Sequence, residues 1–87
     1  MYKIKELAEL YGIHTNALRF YEKKGLLSSR RLENGYRMYE EADKETLQKI
    51  LLYRAMNFSI ADIRELLDNE KEHAHELYFQ QLQLLNK

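Results

Sequence analysis

Ile4, Leu7, Ala8 and Tyr11 recur at i, i+3, i+4 and i+7, one apolar stripe on a short helix that Gly12 can end. A second helix is expected from His14 to Lys24. Leu18 and Tyr21 share one face, while Asn16, Arg19 and Lys23, spaced by three and four, share another. Two short helices about a tight glycine turn, the second with a basic polar face, make the helix-turn-helix pattern. An ordinary αα-hairpin has the same spacing, so the pattern alone leaves both open. Gly25 closes the second helix, and from Leu26 to Tyr39 the period changes. Asn34-Gly35 is a strong hairpin signal, read as a type I′ turn with positive φ at both residues. On the return arm Tyr36 and Met38 point one way and Arg37 and Tyr39 the other, with Arg30 and Arg31 on the outgoing arm.

The second half of the chain returns to helical periodicity. Glu40 to Asp43 is an acidic lead-in suited to a helix N-terminus, and Leu47, Ile50 and Leu51 carry a stripe on toward Met56. Asn57-Phe58 interrupts it. Ser59 then opens Ser-Ile-Ala-Asp, close to a capping box, with Ile60, Ile63 and Leu67 as the buried face of a fourth helix. The N-terminus at Ser59 also offers free N–H groups to a phosphate, a weak signal because every helix has such an end. Residues 70 to 87 place Ala74, Leu77, Tyr78, Leu82 and Leu85 near one side of a fifth helix. An isolated helix of about eighteen residues is marginal in water and needs a partner. With no capping signal in Leu84-Leu85-Asn86-Lys87, the expectation is a helix cut short, or one that pairs with a second copy of itself. The alternative is a helix folded back on its own domain.

Eighty-seven residues suffice for one compact domain. Apolar residues at 45% and aromatics at 11% exclude a disordered tail. The absence of cysteine excludes disulfides, thiolate metal sites and a cysteine nucleophile within these residues. No metal site or cofactor is expected, because His73 and His75 are two apart and diverge on a helix. His14 has no triad partner nearby and no glycine spacing matches a phosphate loop, so an enzyme is not expected either. The start lacks a signal-peptide core and no run could span a bilayer, so a cytoplasmic protein without membrane contact is expected. The formal charge is zero, but residues 1 to 39 hold eight basic and four acidic groups and residues 40 to 87 hold six and ten. A local basic patch attracts phosphate whatever the total, so nucleic acid remains a candidate partner for the first half. Three arginines in the hairpin with only Glu33 beside them favour phosphate over mere solvation.

Ile4-Lys5-Glu6-Leu7-Ala8 through Gly12-Ile13, then Leu18-Arg19-Phe20-Tyr21-Glu22 and Lys24-Gly25-Leu26-Leu27, resemble the N-terminal domain of MerR-family bacterial transcription regulators. Asn34-Gly35-Tyr36-Arg37-Met38-Tyr39 is similar to that family's wing, and Leu47 to Met56 with Phe58-Ser59-Ile60 and Ile63 resembles its second helix-turn-helix-like pair. The resemblance covers about residues 2 to 69, and the two motifs in this order are specific.

It implies a mainly α, winged helix-turn-helix fold with a short β-hairpin wing and the start of a C-terminal dimerisation helix. The expected division is a DNA-binding domain over 1–69 and the start of a coiled-coil helix over 70–87, with Leu77, Tyr78, Leu82 and Leu85 at the dimer seam. Thr15, Asn16, Arg19, Tyr21 and Lys23 are the expected recognition-helix contacts. The wing would add Arg30, Arg31, Tyr36, Arg37 and Tyr39, and Ser59 a backbone contact. The implied function is sequence-specific binding, as a homodimer, of a palindromic operator in double-stranded promoter DNA. Distortion of that DNA would act on RNA polymerase indirectly, with any effector bound by a region outside these residues. Two rivals are an excisionase-like architectural DNA-binding protein and a small helical module that binds only protein. The chain departs from the family at His14, where a capping serine is common, at Asn16, where arginine is frequent, and at Phe20, where tyrosine is usual. These touch the local cap, one base or phosphate contact and one hydroxyl-to-phosphate bond.

Overall fold

A computed structural model of the chain describes residues 1–71. Strand β1 (Tyr2–Lys3) leads directly into helix α1 (Ile4–Leu10), and α2 (Thr15–Lys23) follows after a short turn. Strands β2 (Arg30–Arg31) and β3 (Arg37–Tyr39) form the hairpin, then come α3 (Glu41–Ala55) and α4, which is helical from residue 60 through 71. The described residues thus form four helices and a three-stranded antiparallel sheet of order β1-β3-β2.

The amphipathic stripes converge on one core. Leu7 and Ala8 of α1, Leu18 and Tyr21 of α2, Leu26 and Leu27 after it, Tyr39 of β3, Leu47 and Ile50 of α3, and Ile63 and Leu67 of α4 are all buried. Apolar burial at about 25 cal/mol per Å² is the main stabilising contribution available to a chain with no covalent cross-links. Among the described residues no charged side chain is fully buried, and Glu22, 15% exposed, comes nearest to the core with one carboxylate oxygen enclosed.

Helix ends are set by local hydrogen bonds. At the end of α2, Gly25 takes φ +78°, its N–H reaches the Glu22 carbonyl at 3.0 Å and the Leu26 N–H reaches the Tyr21 carbonyl at 2.9 Å. This is the Schellman arrangement, and it turns the chain sharply out of the helix toward the wing. At the start of α3, Asp43 Oδ2 accepts the Glu40 N–H at 2.8 Å, the return bond of a capping box built from the acidic lead-in.

The hairpin turn is not the expected type I′. Asn34 does not take positive φ; only Gly35 does, at +85°. Gly35 N–H donates to the Leu32 carbonyl at 2.8 Å and Leu32 N–H to the Tyr36 carbonyl at 3.0 Å, so three residues, Glu33 to Gly35, form the loop. A turn followed by one left-handed glycine is the usual geometry for that length. Asn34 contributes through its side chain, whose Oδ1 accepts the Tyr36 N–H at 3.2 Å. Strand β1 was also not expected. Two residues are too few to show an alternating pattern, and only pairing of Tyr2 with Tyr39 and Lys3 with Met38 makes them a strand.

Candidate nucleic-acid interface

The exposed face of α2 is built by its first turn. His14 occupies the N-cap with extended backbone, and its Nδ1 accepts the Asn16 N–H at 3.0 Å. The missing serine therefore does not leave the helix uncapped: an unprotonated imidazole nitrogen performs the same acceptor role. Arg19, one turn on, donates from Nη1 to Asn16 Oδ1 at 3.0 Å and to Thr15 Oγ1 at 3.4 Å. Three side chains expected to face a DNA groove thus form one hydrogen-bonded cluster on one side of the helix, and Lys23 is exposed one turn beyond Arg19. The cluster limits the guanidinium's freedom before any ligand arrives, which lowers the entropy cost of a directed contact.

Tyr21 lies on the opposite side. It is buried in the core and meets Phe20 edge to face, ring centroids 5.9 Å apart. Phe20 itself is 41% exposed, with Lys24 Nζ 5.7 Å from its ring centre. An open cleft of about 550 Å³ separates this corner from α4, lined by Phe20, Lys24, Ile60, Ala61 and Arg64. Ser59 caps α4, its Oγ accepting the Asp62 N–H at 3.1 Å.

In the wing, Arg30 and Arg31 are exposed, and Arg30 Nε lies 3.2 Å from Glu40 Oε1. Among the described residues no carboxylate pairs with Arg31. Tyr36 is 62% exposed, with Lys3 Nζ 5.9 Å from its ring centre. Tyr39 corrects the expected site. Its side chain is fully buried, so its phenol cannot meet a phosphate without opening the core. Burial first, and then the adjacent Glu22 carboxylate, push its pKa above the ordinary tyrosine value, so it stays a neutral core residue. Alternation put Tyr39 on the same face as Arg37 correctly, but that face packs onto α2 rather than facing outward. Arg37 is half-buried and pairs with Glu22 of α2 at 3.1 Å.

Glu22 carries no signal of this pairing in the sequence. Nothing in its local pattern pairs it with a residue fifteen positions away. His14 was identified as a departure from the family, but its capping role follows only from the backbone conformation. Leu77, Tyr78, Leu82 and Leu85, with His73 and His75, lie outside the described residues. Among the described residues there is no cluster of three or more His, Cys, Asp or Glu that could hold a metal, and no helix long and apolar enough to cross a membrane.

The family model described as MerR HTH family regulatory protein matches residues 2–70. The transcriptional activator mta of Bacillus subtilis is 38% identical over 69 residues, which are 78% of this chain and 27% of that protein. The regulator ZntR of Escherichia coli K12 is 40% identical over 68 residues, covering 77% of this chain and 48% of that one. Among solved structures, HiNmlR, a MerR-family regulator lacking the sensor domain and bound to promoter DNA, superposes with a TM-score of 0.74 at 28% identity, covering 94% of this chain and 67% of that chain. The chain therefore spans about a quarter to a half of the curated relatives it matches.

Proposed function

The chain belongs to the MerR HTH family, and on that premise we propose that it is a sequence-specific DNA-binding transcription regulator. The observation that carries the reading is the exposed Thr15, Asn16 and Arg19 cluster on a capped helix, with Lys23 beyond it. Side chains at the start of such a helix reach base edges when the helix enters the major groove, and arginine is the commonest reader of guanine. Tyr21 serves mainly as the core anchor of that helix, its hydroxyl end the part toward phosphate. Arg30, Arg31 and Tyr36 then follow the phosphate backbone, which fixes position and contributes little sequence information. Ser59 brings the N-terminus of α4 to the same backbone.

The partner is double-stranded promoter DNA, met by a homodimer whose second copy joins through residues 70 to 87. Residues 1–69 are then the DNA-binding domain. Two-fold pairing sets the recognition helices about 34–36 Å apart, one turn of B-DNA, so the operator is a palindrome. Bending that duplex costs of order 1–6 kcal/mol, offset by contacts from both wings. RNA polymerase responds to the distorted promoter, in the cytoplasm, without direct contact being required.

Binding selection from random duplex DNA, followed by a salt titration of the recovered sequence, tests this reading. A recovered palindrome, bound by two subunits in sedimentation, is the expected result. No sequence enrichment, together with binding that does not weaken as salt rises, would leave the protein-only module in its place.

A further inference from the structure

Among the described residues, one ion pair joins the wing to the recognition helix. Arg37 leaves β3 toward α2 and its Nη1 donates to Glu22 Oε2 at 3.1 Å, the two side chains being 30% and 15% exposed. The other arginine pair of the wing, Arg30 with Glu40, is 70% and 41% exposed, so water or phosphate can replace it at little cost. Arg31 and Arg37 are direct partners across the ribbon, and like charges so placed repel unless one is neutralised. Glu22 supplies that neutralisation. Tyr39, two residues along the same face of β3, is fully buried, and its hydroxyl and Glu22 Oε1 both lack a hydrogen-bond partner. Among the described residues Arg37 is thus the one cation paired with this half-buried carboxylate of α2, beside which the Tyr39 phenol also lies.

We propose that Arg37 is a positioning residue: through Glu22 it holds the wing at a set angle to the recognition helix, and its charge neutralises that carboxylate rather than a phosphate. The inference rests on the DNA-binding reading above and changes the role that reading would otherwise give Arg37. The pair makes the distance from the Arg19 cluster to the Arg30 and Arg31 phosphate contacts a fixed quantity. Loosening it therefore costs register between base reading and backbone gripping, which matters on the correct sequence and little on any other.

Arg37→Gln, Glu22→Gln and the double variant, made in the full chain, separate the two roles. The probes are the duplex recovered by selection and a random-sequence duplex of equal length. Each single variant should bind the selected duplex about 10- to 100-fold more weakly, the loss expected for a charge-assisted hydrogen bond. The double variant should be no worse than the weaker single. It should keep the salt slope of the unsubstituted chain, because the number of neutralised phosphates does not change. Glu22→Gln should leave random-sequence binding as tight or tighter. If Arg37→Gln instead lowers the slope by about 0.9 and Glu22→Gln tightens binding to the selected duplex, Arg37 grips phosphate and the proposal is overturned. Glu22→Asp keeps the charge but shortens the reach, and should still weaken binding to the selected duplex if a Gln variant fails to fold. Hydrogen exchange provides a readout that needs no DNA: the amides of residues 36 to 39 should lose protection in Glu22→Gln. Unchanged protection would sink the positioning role even if DNA binding is confirmed. Absent DNA binding with lost protection would sink the regulator reading and leave the pair as a wing clasp.

Discussion

The two helix pairs of this molecule use one turn written in different residues. In the first, Gly12 takes φ +63°, Ile13 N–H reaches the Ala8 carbonyl at 3.0 Å, and His14 caps α2. In the second, Asn57 takes φ +67°, Phe58 N–H reaches the Tyr53 carbonyl at 3.0 Å, and Ser59 caps α4. Both are a Schellman ending, an apolar residue, then a side-chain cap, and Phe58 even packs edge to face on Tyr53 with centroids 5.8 Å apart. Counting on from the caps, Leu18 and Ile63 are equivalent and fully buried, and Arg19 and Arg64 are equivalent. The outer faces differ. Thr15, Asn16, Arg19 and Lys23 make the first polar and basic, whereas the equivalent positions of the second are Ile60, Ala61, Arg64 and Asp68, with acidic Asp62 and Glu65 elsewhere on that helix. Arg64 also lies against the end of α2, with Nη2 2.6 Å from where a side chain at Gly25 would begin. The turn geometry is thus common to both pairs, while the charge displayed by the second helix of each is not.

The largest effect should fall where the two pairs are alike. Leu18→Ala and Ile63→Ala should each cost about 2–5 kcal/mol in chemical denaturation, because each empties a fully buried site. A cost below about 1 kcal/mol for either would mean that the pairs do not share one core.

The next should fall where they differ. Arg19→Ala should weaken binding to the selected duplex by about 1–3 kcal/mol and relax its sequence preference, whereas Arg64→Ala should leave that preference unchanged. Competition binding against single-base variants of the duplex measures both, and equal relaxation would erase the proposed distinction between the helices.

Smaller still are the caps. His14→Ala and Ser59→Ala should each lose about 1 kcal/mol of stability, and His14→Ser should be tolerated because serine is the preferred acceptor at that position. Thermal melts of the three variants compare an imidazole cap with a hydroxyl cap directly; a neutral His14→Ala would show that the imidazole contributes nothing.

The smallest effect is the exchange of turn residues. Gly12→Asn and Asn57→Gly should each shift stability by less than about 1 kcal/mol, since both residues tolerate left-handed φ. Were Gly12→Asn to unfold the domain, the first turn would have a steric demand that the second lacks.

Much of this was legible in the chain itself. Helices α1, α2 and α4 follow from apolar stripes of period 3.6, whereas α3 carries Leu51, Leu52 and Tyr53 beside Leu47 and Ile50 and is marked more by its acidic lead-in. Asn34-Gly35 located the wing although it misstated the turn, because glycine's left-handed φ serves both hairpin geometries and only loop length separates them. The family motifs located the helix proposed for recognition and its exposed arginine. What local pattern could not decide was which face of a two-sided element meets the core. Alternation placed Arg37 and Tyr39 together, yet whether that face meets water or α2 depends on packing between segments far apart in the chain. That packing buried Tyr39, drew Arg37 onto Glu22 and turned Tyr2 and Lys3 into a strand. Secondary structure here is a property of neighbours in sequence, and so the sequence determined it. The roles of Glu22, Arg37 and Tyr39 depend on desolvation and charge neutralisation between distant neighbours in space, and only the tertiary structure decided them.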